Sequence, residues 1–165
     1  MKKTIVMLLL LLTFVSTAFA KLQVPEDQRW GYLAGDKTKE DFWMDLYTFE
    51  FGKSLKSDYN HKDHKFARIW FLRNVYSADN KVVMFYEFDL QCRTVRRLSA
   101  TGYDGNGNVL FSLPASYTEE AVIPNTFGEI YLSIALGLEK IHNDKEKLEE
   151  FYKVVQEDSE KYRKL

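Results

Sequence analysis

From Val82 onward the chain alternates. Val82, Met84, Tyr86, Phe88, Leu90 and Cys92 fall on one side of an extended segment, while Glu87, Asp89 and Gln91 fall on the other. A period of two marks a β-strand with one face turned to a core, and it places the Cys92 thiol on the apolar face as a small buried hydrophobe. The alternating run belongs to a longer stretch, Lys81 to Leu113, that is rich in β-branched and aromatic residues and free of proline until Pro114. Strands usually run roughly 3–10 residues, so this stretch must reverse. The reversal is expected between Leu90 and Thr94, with a following strand from Val95 to Tyr103 that carries Leu98 and Ala100 on one side. The small polar run Asp104-Gly105-Asn106-Gly107-Asn108 tolerates positive φ and reads as a hairpin loop into a strand from Asn108 to Leu113.

Upstream, Phe66 to Tyr76 is a further strand, with Phe66, Arg68, Trp70 and Leu72 on one face and Ala67, Ile69, Phe71 and Val75 on the other. Ser77 to Asn80 then forms a hairpin connection. Arg29 to Leu33 reads as a short first strand ended by the Gly35-Asp36 turn. Asp41 to Tyr47, continuing toward Phe51, has the aromatic density of a buried strand, although its period also fits a helical turn. Between these elements lies the most polar internal stretch, Gly52 to Lys65, expected as an exposed, mobile loop.

After Pro114 the period changes. Ser116 to Ala121 reads as a loop. Thr126 with Glu129 has the spacing of a capping box, and Phe127, Ile130, Tyr131, Ile134, Leu138 and Ile141 follow at helical spacing, a stripe suited to lie on the sheet. A second capping box, Asn143 with Glu146, predicts a break near His142. The charged tail beyond it keeps Leu148, Phe151, Tyr152, Val155 and Tyr162 on a narrow seam. That seam can pack in cis, pair with a second chain as a homodimer, or project as a solvated helix. Together these elements predict an α+β domain: an antiparallel sheet of about five to six strands, a C-terminal helix on one face and a charged helical tail.

Composition adds a compartment. Lys2-Lys3, the apolar run Thr4 to Val15 and the small-x-small pattern Ala18-Phe19-Ala20 form a signal peptide over residues 1–20, with cleavage before Lys21. An N-terminal anchor is the competing reading, but the apolar run is short for a span and meets a cleavage pattern directly. The chain is therefore expected in the periplasm or at the cell surface of a bacterium, with residues 21–142 as the domain and 143–165 as a helical extension. The 23 basic and 24 acidic residues, before Lys2 and Lys3 are lost, do not suggest a nucleic-acid partner. With a single cysteine, no internal disulfide can form, and the core alone must hold the fold; Cys92 can pair between chains or react, or lie buried as the alternation suggests.

Candidate chemistry is sparse. His61 and His64, with Asp58 and Asp63, have a metal-ligand flavour, but a charged loop yields the same pattern and no metal is assigned. Asp104, Asn106 and Asn108 match the start of a calcium loop, which then fails at Val109 and Ala115. No nucleophile with a positioned base is evident, so no enzymatic activity and no resident cofactor are expected. Arg93, Arg96 and Arg97, with Arg68 and Arg73, can form a basic ligand-binding patch, or can pair across strands with Glu87 and Asp89. His61 or His64 could serve hemin as an axial ligand.

The order and spacing of Arg68-Ile69-Trp70, Glu87-Phe88-Asp89 with Cys92, Arg96-Arg97-Leu98-Ser99, Tyr103-Asp104, Gly107-Asn108-Val109 and Ile123-Pro124-Asn125-Thr126 with Gly128-Glu129 resembles the surface-adhesin protein E family over Trp30 to Gly137. The resemblance implies a small antiparallel sheet crossed by a C-terminal helix, and binding of host extracellular-matrix proteins or hemin. It also implies a disulfide from Cys92 to a partner near Ala135–Gly137, where this chain has no cysteine. The expectation is a non-catalytic exported envelope protein that binds a host or envelope component. A small envelope enzyme or inhibitor is the remaining class.

Overall fold

The computed structural model describes residues 28–56 and 63–165. The signal-peptide expectation and His61 lie outside them. The described chain forms one antiparallel sheet and two C-terminal helices. Its strands are β1 (Trp30–Gly35), β2 (Glu40–Asp45), β3 (Glu50–Gly52), β4 (Phe66–Val75), β5 (Asn80–Asp89), β6 (Thr94–Asp104), β7 (Val109–Leu113) and β8 (Glu120–Ala121). The helices are α1 (Phe127–Ile141) and α2 (Lys145–Lys164). The strands run in the order β1-β2-β4-β5-β6-β7, with β3 beside β4 and β8 beside β6. The two short strands are additions to the expected five or six: β3 follows a break after β2, and β8 falls where a loop was expected. Among the described residues no helix is long and apolar enough to cross a membrane.

The core lies between the sheet and α1. Phe42 and Met44 of β2, Ala67, Ile69 and Phe71 of β4, and Phe88 of β5 meet Tyr131, Leu132, Ala135 and Leu138 of α1. The Tyr131 ring stacks on Phe71 at 3.8 Å between centroids. The helical stripe and the strand alternation therefore dock as the two periods require.

The tail packs in cis. Helix α2 runs along the outer edge of β1, where Ser159 Oγ accepts the Tyr32 amide at 2.7 Å and Arg163 Nη2 donates to the Trp30 carbonyl at 2.9 Å. Tyr162 stacks on Tyr32 at 3.9 Å and meets Trp43 edge-on at 5.8 Å. This covers a sheet edge that would otherwise expose unpaired backbone groups. Close approach is possible because residue 31 is glycine; a Cβ there would overlap Val155 and come within 2.8 Å of Leu46. The helix starts at Asp144, whose side chain accepts the Lys147 amide at 3.2 Å, one residue beyond the expected Asn143 cap. At the start of α1, Thr126 makes no side-chain cap; its hydroxyl donates to the Ile123 carbonyl, and Glu129 accepts from the Asn125 amide instead.

Two expectations about β5 are corrected. The alternation places Glu87 and Asp89 on a polar face, yet both are 2% exposed. The same alternation places Cys92 on the buried side, yet it is exposed, because β5 ends at Asp89 and the chain turns away before the alternation reaches residue 92. The turn itself falls where expected, and Arg93 adopts φ 57° within it.

The burial of Glu87 follows from a bulge. The β5–β6 register slips between Phe85, opposite Ser99, and Tyr86, opposite Arg97, which brings Arg96 across from Glu87. Arg96 Nη2 donates to Glu87 Oε1 at 2.5 Å, and Arg68 Nη1 reaches Oε2 at 3.4 Å. Ser54 Oγ and the Leu55 amide, both at 2.9 Å, complete the set. Burial alone would push this carboxyl up, but the Leu55 amide, Arg96 and Ser54 outweigh it and hold the carboxyl below the ordinary glutamate range.

Replacing Glu87 by Gln takes the carboxylate from the buried Arg96 guanidinium and leaves Arg68 with Glu50, at 3.1 Å, as its acidic partner; an expected loss of about 3–5 kcal/mol is measurable by urea unfolding. Because the folded-state value is depressed, the stabilisation is complete above the unfolded-chain value near about 4.3 and is lost as pH falls through the lower folded value. The E87Q protein should show a shallower acid limb; an acid limb identical to that of the wild type would contradict the assignment.

Candidate ligand cleft and its His-Asp-Cys rim

At the end of the sheet where β4 begins and β5 ends, β3 and residues 63–65 face the corner between α1 and α2. They enclose an open cleft of about 530 Å³. Phe51 and Lys53 come from the β3 side, Asp63, His64 and Lys65 from the start of β4, and Glu139 and His142 from the helical corner. Lys65 Nζ spans the cleft to Glu139 Oε1 at 2.6 Å. The His142 imidazole lies 4.6 Å from the Phe51 ring, and its Nδ1 donates to the Glu139 carbonyl at 2.6 Å. That bond assigns the acceptor role to Nε2.

His64 belongs both to the cleft and to a second group at its rim. Its Nδ1 lies 2.7 Å from Asp89 Oδ2 and 3.7 Å from Cys92 Sγ. Asp89 is buried, so its carboxylate, an acceptor only, orients the ring by accepting the Nδ1 proton. The other carboxylate oxygen, Oδ1, accepts the amides of Gln91 and Cys92 at 2.9 and 2.8 Å, which closes the turn after β5. His64 is held against this turn by its neighbour: the Lys65 carbonyl accepts the Leu90 amide at 3.1 Å, and the Lys65 amide donates to Gln91 Oε1 at 3.0 Å.

This arrangement differs from a catalytic relay. A thiol nucleophile needs one imidazole nitrogen as base and the other held by the orienting group. Here a single nitrogen, Nδ1, serves both neighbours. Partial desolvation, then the Asp89 carboxylate, push the Cys92 thiol above its ordinary pKa, and Glu119 adds to this. The thiol is exposed but held in its less nucleophilic protonated form.

The arginines read from the sequence are dispersed. Arg96 and Arg68 are buried on Glu87 on the reverse face. Arg97 points to the helix face, its Nε 3.4 Å from the Pro114 carbonyl. Arg73 pairs with Glu40 at 2.5 Å, and Arg93 sits in the turn. Arg93, Arg96 and Arg97 therefore do not share one surface, and the pairing of Arg96 with Glu87 is made. Asp89 takes His64 as a neighbour rather than an arginine from that set. Of the two candidate histidines, His64 is placed in the cleft. In the loop after β6, Asp104 Oδ1 accepts the amides of Asn106 and Asn108, both at 2.9 Å, as a hairpin loop requires.

The sequence reading missed Asp89, His142, Lys53, Lys65 and Glu139. Asp89 and Cys92 are three apart and visible together, but His64 lies twenty-five residues before Asp89 and joins them only through β4–β5 pairing. Comparison of the chain with protein-family models, curated proteins and solved structures finds no match in any of the three.

With metal removed by a chelator, Cys92 should react with a disulfide reagent at neutral pH more slowly than a free cysteine, despite its exposure. Asp89→Asn removes the nearby negative charge while keeping a group that can accept the turn amides, and should speed labelling. Equal rates in the two proteins would show that Asp89 does not control the thiol.

Proposed function

We propose that the chain is an exported, non-catalytic binding protein of the bacterial envelope, whose ligand enters the cleft between β3, residues 63–65 and the α1–α2 corner. The observation that carries this reading is the lining of the cleft. Two imidazoles, two lysines and two carboxylates converge with one aromatic ring on a single open depression at the end of the sheet. The shared use of His64 Nδ1 and the protonated thiol support a binding rather than a catalytic role. The basic, apolar and small-x-small pattern over residues 1–20 supports export, and the resemblance to the surface-adhesin protein E family supports a host extracellular-matrix or envelope component as partner.

Expression of the full chain in a bacterial host should yield a product beginning at Lys21 by mass and found outside the cytoplasm. Protease treatment of intact cells, against a periplasmic control, then separates a surface adhesin from a periplasmic binder. Unprocessed chain retained in the cytoplasm would overturn the reading.

A second reading, hemin in the same cleft, is favoured by His142. Its Nδ1 bond leaves Nε2 as the metal-facing nitrogen, and Phe51 beside it offers an aromatic wall. Titration of the mature protein with hemin should shift the Soret band, and His142→Ala should abolish the shift. An unshifted band, or a shift equal in the variant, removes hemin ligation by His142.

A further inference from the structure

The geometry points to a zinc-type divalent cation bound by His64 Nδ1, Asp89 Oδ2 and Cys92 Sγ at the β5–β6 turn. This site stands on its own donors and does not depend on what the cleft binds.

The three donor atoms lie within 4.8 Å of one another and supply one nitrogen, one oxygen and one sulfur. Zinc takes such mixed sets at about 2.0–2.3 Å, with three protein ligands and an open fourth position in sites that keep a water. Tetrahedral angles at those bond lengths place adjacent donors roughly 3.2–3.7 Å apart. The sulfur–nitrogen separation of 3.7 Å already fits. The nitrogen–oxygen pair, at 2.7 Å, is a hydrogen bond and must open by about half an ångström as the metal replaces the proton between them. Calcium and magnesium prefer all-oxygen sets, so the sulfur and nitrogen select a softer ion.

The surrounding contacts already do what outer-shell groups do in metal sites. Asp89 is 2% exposed and is fixed through its other oxygen by the amides of Gln91 and Cys92. His64 is fixed by the two backbone-anchored bonds of Lys65 to residues 90 and 91. Cys92 is exposed, which provides an entry path and room for a water as fourth ligand.

Binding proceeds with a simple proton balance. The Cys92 S–H bond breaks, sulfur donates its electron pair to the cation, and the proton leaves to water. The His64 proton on Nδ1 is exchanged for one on Nε2, freeing the Nδ1 lone pair, and Asp89 binds as the carboxylate. The net result is one proton released, that of the Cys92 thiol, while the His64 ring keeps one proton throughout, with no change of oxidation state. The bound ion would clamp His64, and with it one wall of the cleft, to the β5–β6 turn.

The test uses the purified mature chain, stripped by chelator and titrated with Co²⁺ and Zn²⁺. Saturation at one equivalent, a thiolate-to-Co²⁺ charge-transfer band in the near ultraviolet and its displacement by Zn²⁺ are expected. Zn²⁺ should also protect the thiol from a disulfide reagent. Cys92→Ser, at an exposed position that leaves the fold intact by circular dichroism, should abolish the band and weaken Zn²⁺ binding by at least the roughly 10–100-fold seen when even outer-shell partners are lost. His64→Ala should weaken binding similarly. Absence of the charge-transfer band in the wild type, or Zn²⁺ affinity unchanged in both variants, would overturn the site.

Discussion

The organisation of the sheet depends on a carboxylate that has left water. Glu87 sits between Arg68 of β4 and Arg96 of β6, and the three central strands are registered around it. A buried charge is tolerated only when its hydrogen-bonding capacity is met, and each oxygen of Glu87 accepts one bond from an arginine and one from the 54–55 segment. The consequence reaches the cleft. The bonds from Ser54 and Leu55, with that from Arg68 to the Lys53 carbonyl at 2.9 Å, hold the segment after β3 onto the sheet. That segment carries Lys53 into the cleft wall, so the polar clamp and the candidate ligand site are parts of one construction.

Apolar packing performs the remaining work, with the α1 core on the opposite face and a second cluster of Trp30, Trp43, Leu72 and Tyr162 on the Glu87 face toward the β1 edge. The described residues hold one cysteine and it is free, so no covalent link ties the helices down. Tyr131 on Phe71, and the buried Leu132, Ala135 and Leu138, attach α1 to the centre of the sheet. Helix α2 closes the β1 edge by hydrogen bonds and stacked rings, which turns a charged tail into part of the same body. At the other edge, β7 presents Val109, Leu110, Phe111 and Leu113 to solvent.

The chemistry at the rim is shaped by proximity of unlike groups. Asp89 orders a turn through one oxygen and a histidine through the other, and partial desolvation followed by its negative charge pushes the adjacent thiol above its ordinary pKa. The same charge that makes Cys92 a poor nucleophile makes the group attractive to a cation, since a metal reverses the preference for the protonated thiol.

Much of the architecture was legible in local periodicity. The alternation from Val82 to Phe88, the helical stripe from Phe127 to Ile141 and the turn residues from Asp104 to Asn108 each report a local backbone preference, and each appears where the pattern placed it. Those preferences determined the α+β class, the hairpins and the helix break near His142. Burial of polar groups was not legible, because whether Glu87 or Asp89 meets water depends on what lies across the strand. A single bulged residue in β6 decides which arginine faces Glu87. The end of β5 at Asp89 decides that Cys92 leaves the core. The candidate site was least visible of all: His64 precedes β4, Asp89 ends β5 and His142 follows α1, and only strand pairing and helix docking bring them to one end of the sheet. Local sequence therefore determined the elements, while the tertiary structure decided which polar groups are buried and which of them meet, because those encounters are set by distances across the fold rather than along the chain.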